Sequence, residues 1–257
     1  MVPTGPGDLL DRFEGRCDPR GSERPGGFPT SLCCAATEVL SVDAVGISLV
    51  LDGLKRIPVG ASSGEVSLAE RLEFTVGQGP CLTAYAIGEP VMVPDIEDHA
   101  HLAAMDWGEY GQRLLTRTSF KAVFCLPLDS GGSTLGTMCM YRRSPRLLDD
   151  DEMDDALAVR THVVDALLST DLSTGTRDGH SVSNGAAHQA RRWLDVPLAL
   201  ARSLVWQAIG IATVEMGLSS LDALAILRSY CYTHDLLLDD VAAEIVAGAL
   251  PLERLHP

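Results

Sequence analysis

The central part of the chain alternates between strand-like and helix-like patterns of apolar residues. Residues 44–51 are almost entirely apolar and rich in β-branched side chains, which predicts a buried strand, and residues 55–61 follow as its hairpin partner. Residues 120–128 and 135–142 predict a second antiparallel pair. Apolar positions at helical spacing predict helices at residues 30–40, 65–74, 80–87 and 149–169. Residues 30–169 are therefore predicted to form an α+β domain in which helices flank an antiparallel sheet.

The rest of the chain divides into an arm, a linker and a helical region. Residues 1–29 contain five prolines and six glycines without a periodic apolar pattern, which predicts a disordered arm. Residues 170–187 lose hydrophobicity and gain Ser, Thr, Gly and Asn, as linkers do. Residues 188–257 predict three helices, and the first is apolar over much of its circumference. A second copy of the chain would cover that surplus apolar surface, so we expect a homodimer.

The charge balance excludes two classes of protein. The chain has 20 Lys and Arg against 35 Asp and Glu, so its net charge is −15. A nonspecific nucleic-acid coat protein or a polybasic membrane binder would show the opposite balance, so any nucleic-acid site must be local. The first residues lack a secretion signal, and Arg202 and Gln207 interrupt the apolar run at 196–214. We therefore expect a cytoplasmic protein with no membrane partner.

The seven cysteines form no zinc motif. Their number is odd and no two are spaced as C-x-x-C, so the sequence predicts no metal site. Several lie in apolar runs, as small buried side chains do in proteins of a reducing compartment. The segment Asp95–His101 holds two histidines and three acidic residues, enough donors for a metal ion, but an acidic surface loop is the favoured interpretation.

Phrases in both halves of the chain resemble two known domain families. Glu73–Ile96, followed by FKAVFCLPL and STLGTMCMYRRSP, resembles a GAF sensor domain of the actinobacterial type. The stretch VWQAIGIATVEMGLSSLDALAILRSYCYTHDLLLDDVAAEIVAGAL resembles an ANTAR domain. The resemblance implies a GAF-like sensor over residues 30–169 and a three-helix ANTAR unit over residues 188–257. It further implies a cytoplasmic, homodimeric antitermination regulator without catalytic activity, which binds two adjacent RNA stem-loops and responds to an unidentified small molecule.

With this resemblance, the residue types place the candidate RNA-binding site at the end of the second C-terminal helix. Unpaired bases stack on aromatic rings and on arginine planes. Arg228 is the candidate phosphate or base-edge contact, and Tyr230 or Tyr232 is the candidate stacking platform, unless Tyr230 is an ordinary core residue. The remaining candidates are His234, Gln207 and Gly210. Arg191, Arg192 and Arg202 could contact phosphate, but solvated helix charges are the commoner outcome for such residues.

One departure from the ANTAR pattern bears on this site. Many members carry a basic residue in an Ala-Lys-Gly turn of the first helix, where this chain has Ala208-Ile209-Gly210. From His188 onward the chain has five arginines and eight acidic residues, so this unit is itself net negative. One phosphate or base contact of the family is therefore expected to be missing.

In the sensor half, the candidate ligand pocket is a sheet face that carries Ser48, Cys125, Met138 and Met140. Met and Cys at strand spacing are also common in a plain core, and that alternative stays open. The turn Gly77–Pro80 precedes a predicted helix, whose N-terminus can bind an anion, although such turns are mostly structural.

Two other functions stay open at this point. Some free-standing GAF-fold proteins reduce free methionine sulfoxide through cysteines, and Cys81 and Cys125 are candidates for that chemistry. Such an enzyme needs no C-terminal helical unit, which argues against it. In the third interpretation, the negative C-terminal unit serves only dimerisation or a protein partner and binds no RNA.

Overall fold

Five antiparallel strands form the centre of the N-terminal domain. The computed structural model describes residues 6–17, 27–51, 55–169 and 196–255. The sheet order is β2-β1-β5-β4-β3, and every neighbouring pair is antiparallel. The strands are β1 (Ala44–Leu51), β2 (Lys55–Ala61), β3 (Val91–Val93), β4 (Ala122–Ser130) and β5 (Ser133–Arg142). The predicted α+β class and both predicted hairpins are confirmed.

Helices cover both faces of this sheet. One face packs against α1 (Pro6–Arg16), α2 (Gly27–Val39) and α7 (Asp150–Ser169). The opposite face packs against α3 (Gly64–Val76), α4 (Pro80–Ile87), α5 (His99–Ala104) and α6 (Gly108–Arg117). The alternation of side chains along each strand therefore builds two separate cores, one on each side of the sheet.

The first helix corrects the expectation of a disordered arm over residues 1–29. Leu9 and Phe13 are four residues apart on α1, and both are buried in the core against α2 and α7. Two large apolar side chains on one helical face gain enough from burial to order the segment. The prolines and glycines that suggested disorder lie mostly outside α1, at positions that the structure does not describe.

A second difference concerns the loop predicted at Asp95–His101. This segment turns into α5, whose first turn is capped by Asp98, because its side chain accepts a hydrogen bond from the N–H of His101 at 3.0 Å. The acidic residue is thus a helix cap. A second helix on this side of the sheet, α6, follows α5 after Trp107.

Three helices follow the N-terminal domain and form a unit that we call the helical unit (residues 196–255). They are α8 (Pro197–Met216), α9 (Ser220–His234) and α10 (Leu238–Val246), followed by a short 3-10 helix (Leu252–Leu255). Ser219 caps α9 by accepting a hydrogen bond from the N–H of Asp222 at 3.1 Å. The predicted linker (170–187) and the first residues of the predicted C-terminal domain (188–195) lie outside the described residues.

The helical unit packs directly on the N-terminal domain. Phe74, near the end of α3, belongs to the same apolar cluster as Val205 and Ala208 of α8 and Leu227 of α9. The N–H of Leu238 donates to Thr75 Oγ1 at 3.0 Å. Of the described helices, α8 alone is long and apolar enough to cross a membrane, a criterion that core helices of water-soluble proteins also meet. Here α8 packs against β2 and α10.

Candidate functional site

A buried arginine links the helical unit to the N-terminal domain. Arg202 on α8 is fully buried, and its Nε donates to Asp239 Oδ1 at 3.0 Å. Its guanidinium carbon also lies 3.5 Å from the centroid of the Phe74 ring. Arg202 is therefore neither a solvated helix charge, as the sequence favoured, nor open to RNA phosphate in this arrangement, because its charge is enclosed between two helices and a ring. Arg191 and Arg192 lie outside the described residues.

Arg228 also faces the N-terminal domain, but it has no acidic partner. Its Nη2 donates to the carbonyl oxygen of Phe74 at 2.9 Å, and no carboxylate pairs with it among the described residues. Burial lowers the pKa of Arg228, and the nearby charge of Arg202 acts in the same direction. Gly77 makes room for this side chain, because a Cβ there would lie 2.6 Å from the guanidinium carbon of Arg228.

The two candidate tyrosines differ in accessibility. Tyr230 packs against the core of the helical unit and stacks on His234, with ring centroids 4.1 Å apart. Tyr232 is 62% exposed. Its ring lies 5.6 Å from the guanidinium carbon of Arg113, which comes from α6 of the N-terminal domain. Tyr232 is therefore the tyrosine with a ring face free to stack on a base.

Arg228 and Tyr232 line one cleft at the junction of the two parts. This junction cleft has a volume of about 390 Å³, and its walls include Thr75, Val76, Arg113, Ala225, Arg228 and Tyr232. The structure thus brings two of the predicted RNA-binding residues together on α9. Gln207 and Gly210 are exposed on α8 and are not part of the cleft wall.

Arginines of the N-terminal domain neutralise several acids of the helical unit. Asp235 pairs with Arg117 at 2.6 Å and approaches Arg113 at 3.7 Å. The hydrogen bond from Arg117 lowers the pKa of the Asp235 carboxyl. Arg71 pairs in the same way with Asp240 and lies 3.7 Å from Asp239. The electrostatic potential around Arg228 is consequently less negative than the net negative charge of the helical unit suggests.

Inside the N-terminal domain, the sheet face toward α3 and α4 carries a buried ion cluster. Arg56 Nη2 contacts Glu70 Oε2 at 2.5 Å, and its Nη1 lies 3.0 Å from Glu73 Oε2. Ser48 also donates to Glu70 Oε2, at 2.6 Å. All four side chains are buried, so two carboxylates share one guanidinium away from water. Burial raises the pKa of Glu73; Arg56 opposes that rise and Glu70 adds to it.

The anion site predicted at the N-terminus of α4 is filled by the protein itself. Glu73 Oε1 accepts hydrogen bonds from the N–H groups of Cys81 and Leu82, at 2.8 and 3.1 Å. Glu73 comes from α3, so one carboxylate both caps α4 and pairs with Arg56. The turn Gly77–Pro80 therefore has the structural role that such turns usually have, and its helix N-terminus is not open to an external anion.

Three cysteines meet on the same sheet face. Cys125 and Cys139 face each other across β4 and β5, and Cys81 from α4 lies above them. Their sulfur atoms lie within 4.8 Å of one another. Cys81 and Cys139 form a disulfide, and Cys125 Sγ is 3.3 Å from Cys81 Sγ. The sequence predicted unpaired, buried cysteines, and it missed this grouping because the three residues meet only through the tertiary fold.

Two groups of described residues have donor atoms close enough to hold a metal ion: the three cysteines just described, and Glu70 with Glu73 and Cys81. Burial raises the pKa of the Cys125 thiol well above its usual range, and the carboxylates of Glu73 and Glu70 add to that effect. A metal on the three cysteines would require reduction of the Cys81–Cys139 disulfide and thiolates beside two buried carboxylates. The segment Asp95–His101, which leads into α5, is not one of these groups among the described residues.

The four residues of the predicted ligand pocket do not share a face. Ser48 and Cys125 point toward α3 and α4, where Ser48 joins the ion cluster. Met138 and Met140 belong to the opposite core, against α2 and α7. Neighbouring positions on a strand alternate between faces, so even-numbered residues of β5 cannot line a pocket with Cys139 and its partner Cys125. The grouping is therefore corrected to Ser48 and Cys125 on one side of the sheet.

The sequence did not predict which residues of the N-terminal domain take part in the junction cleft and in the buried ion cluster. Arg113 and Arg117 lie on α6, in a segment where no motif pointed to binding. Glu70 and Glu73 were available as a signal, because acidic side chains on a predicted helix that faces a sheet require buried partners. Their partner, Arg56, is itself buried and lies on β2, in which every residue after Lys55 is buried.

Comparisons with known proteins identify the N-terminal domain. The model of the GAF domain family matches residues 30–167. No curated protein matches the chain. Two solved structures are similar to the chain. The GAF domain of an Acinetobacter phosphoenolpyruvate-protein phosphotransferase is 10% identical over 64% of this chain and 94% of its own, with a TM-score of 0.45. A type II free methionine-R-sulfoxide reductase from Thermoplasma acidophilum is 12% identical over 53% of this chain and 89% of its own, with a TM-score of 0.36.

Proposed function

Because the chain belongs to the GAF domain family, we propose that it is a cytoplasmic signal-responsive regulator that binds paired RNA stem-loops and promotes transcription antitermination. Its N-terminal domain is a GAF sensing domain. In this proposal a small molecule acts on that domain, and the ANTAR-like helical unit carries the RNA-binding surface. The protein acts by binding and performs no catalysis.

The observation that carries this proposal is the pairing of Arg228 with Tyr232. The two residues lie one helical turn apart on α9, at one cleft, with Tyr232 mostly exposed and Arg228 free of any acidic partner among the described residues. An aromatic ring beside a guanidinium suits an unpaired RNA base with its phosphate. The ion pairs that neutralise Asp235, Asp239 and Asp240 remove part of the repulsion that an acidic protein would exert on RNA.

The packing of the two parts supports control by the sensor. In the packed arrangement, Arg228 donates to Phe74 of the GAF domain, so that donor is not available to phosphate. A signal that binds the GAF domain more tightly in one arrangement than in another would shift this equilibrium. Leu200, Val214 and Leu221 of the helical unit are exposed apolar side chains, and a second copy that covers them would bring two RNA-binding surfaces together.

RNA binding by the full chain tests the proposal. We expect fluorescence anisotropy at one fixed salt concentration to show tighter binding of a two-hairpin RNA than of the same RNA with scrambled loops. Tyr232→Ala is expected to weaken binding by about 5- to 150-fold, the range for loss of one stacked base. Tyr85→Ala, on α4 of the GAF domain, is the matched control and is expected to bind like the wild type. Equal affinity for both RNAs would instead favour a helical unit that serves only dimerisation or a protein partner.

The grouping of Cys81, Cys125 and Cys139 favours one second function, thiol-dependent reduction of free methionine sulfoxide. The sulfur atoms are close enough for thiol–disulfide exchange. Their complete burial and the raised pKa of Cys125 oppose it, because the thiolate is the reactive form. Turnover that persists when residues 188–257 are deleted and is lost in Cys81→Ser and Cys125→Ser would establish this alternative.

A further inference from the structure

The junction cleft contains more positive than negative charge, within a strongly acidic protein. Arg113 and Arg228 both line it, and Glu109 is the one carboxylate in its wall among the described residues. Glu109 pairs with Arg113 Nε at 2.5 Å. Within the parts of the chain that the structure describes, no carboxylate pairs with Arg228. A cavity that keeps an unneutralised guanidinium is suited to an anion supplied from outside.

Buried nitrogen atoms in the same wall lack hydrogen-bond partners. Arg113 is only 7% exposed, and among the described residues its Nη1 has no hydrogen-bond acceptor, although Asp235 Oδ1 lies 3.7 Å from it. The Nε of Arg228 is likewise buried without a partner. Buried donors are normally paired because an unpaired donor loses its hydrogen bond to water without a replacement. Both arginines can therefore still donate hydrogen bonds to a bound group.

The remaining walls favour a ligand with a planar ring. Tyr232 presents an exposed ring beside the guanidinium of Arg113, and Val76 and Ala225 add apolar surface. A second ring stacked on Tyr232 would remove apolar area from water on both molecules. The volume of about 390 Å³ falls in the range of small-molecule sites.

We propose that the junction cleft binds a small organic anion, a carboxylate or phosphate ester that carries a planar ring, with Arg228 and Arg113 as its anion-binding residues and Tyr232 beneath its ring. The cleft is separate from the interior of the GAF domain, where the ion cluster and the cysteines lie. A ligand there contacts α6 and α9 at once, so it joins the sensing domain to the helical unit. This inference goes beyond the proposed function and requires no RNA.

Isothermal titration of the full chain, without RNA, tests this binding directly. The probes are adenosine monophosphate and benzoate, each with its neutral counterpart, adenosine or benzamide, and inorganic phosphate as an anion without a ring. We expect at least one aromatic anion to bind at least about tenfold more tightly than its neutral counterpart and than phosphate, since hydrogen bonds to charged groups contribute about 1.5–3 kcal/mol. The probe that binds distinguishes a phosphate ester from a carboxylate.

Three variants connect this binding to the cleft. Arg228→Met is expected to weaken binding of the aromatic anion at least tenfold, whereas Arg146→Met, which removes an exposed arginine paired with Glu152 elsewhere, is expected to leave it unchanged. Ala225→Phe keeps both arginines and fills the cleft from an exposed helical position, so it is expected to abolish binding without unfolding the protein. The proposal is overturned if no aromatic anion binds at millimolar concentration, or if Arg228→Met and Ala225→Phe both bind like the wild type. Because RNA is absent, failure here leaves the RNA-binding proposal unaffected.

Discussion

Replacing Arg202 with methionine is expected to lower the free energy of unfolding of the helical unit by about 3–5 kcal/mol. Arg202 is fully buried and donates to Asp239, which is itself buried. Without the guanidinium, the one cation that pairs with Asp239 in the described parts of the chain is Arg71, whose Nε is 3.7 Å away. The contact with the Phe74 ring is lost as well, and that ring lies at the junction with the GAF domain.

Urea unfolding followed by circular dichroism measures this effect, with two variants for comparison. Arg254→Met removes an exposed arginine of the same unit and is expected to change stability by less than about 0.5 kcal/mol. The double variant Arg202→Met with Asp239→Leu replaces the buried pair by apolar side chains and is expected to recover most of the loss. An Arg202→Met chain as stable as the Arg254→Met chain would show that Arg202 does not hold the helical unit in place.

Arg56→Met is expected to destabilise the GAF domain by a comparable amount, about 3–5 kcal/mol, and to make its stability depend on pH. The substitution leaves Glu70 and Glu73 buried without their shared cation. Burial already raises the pKa of Glu73 above 4.5, and removal of Arg56 takes away the charge that opposes this rise. A carboxyl whose pKa is higher in the folded state binds more protons when folded, so its stabilising contribution is complete below pH 4.5 and is lost as pH rises through the folded pKa.

Stability measured at pH 5 and at pH 8 tests the sign of this effect. The difference in the free energy of unfolding between the wild type and Arg56→Met is expected to be larger at pH 8 than at pH 5. Adding Glu73→Gln to Arg56→Met removes one of the two carboxylates while its amide oxygen can still accept from the N–H groups of Cys81 and Leu82, so the double variant is expected to lose much of the pH dependence. If the free-energy difference between the wild type and Arg56→Met were the same at both pH values, the carboxylates of Glu70 and Glu73 would not be buried together.

The sheet and most helices follow from local patterns that a single sequence contains. Short apolar runs rich in β-branched residues predict β1, β4 and β5, and the helix at Pro80–Ile87 follows from a proline at its first position. The first helix was missed because proline and glycine dominate the composition around it, whereas two buried side chains, Leu9 and Phe13, decide its structure. That prediction rested on local composition, which does not show which side chains become buried in the folded protein.

The candidate sites were only partly predictable, because tertiary contacts bring their residues together. The ANTAR resemblance and their residue types pointed to Arg228 and Tyr232, but nothing in the sequence placed Arg113 beside them. Arg202 was expected on the surface because its partner, Asp239, lies on another helix, 37 residues further along the chain. The pocket residues Met138 and Met140 were grouped with Cys125 by residue type, although strand alternation alone separates them.

Crosslinking of the protein to RNA in the cells that produce it, followed by sequencing of the bound fragments, tests the central claim most directly. The claim is that the helical unit presents Arg228 and Tyr232 to unpaired nucleotides of paired stem-loops. The predicted result is enrichment of transcript leaders that contain two adjacent hairpins, with crosslinks in their loops, and loss of that enrichment for a chain carrying Tyr232→Ala. Recovery of the same RNA fragments by the wild type and the Tyr232→Ala chain, without preference for paired hairpins, would contradict it.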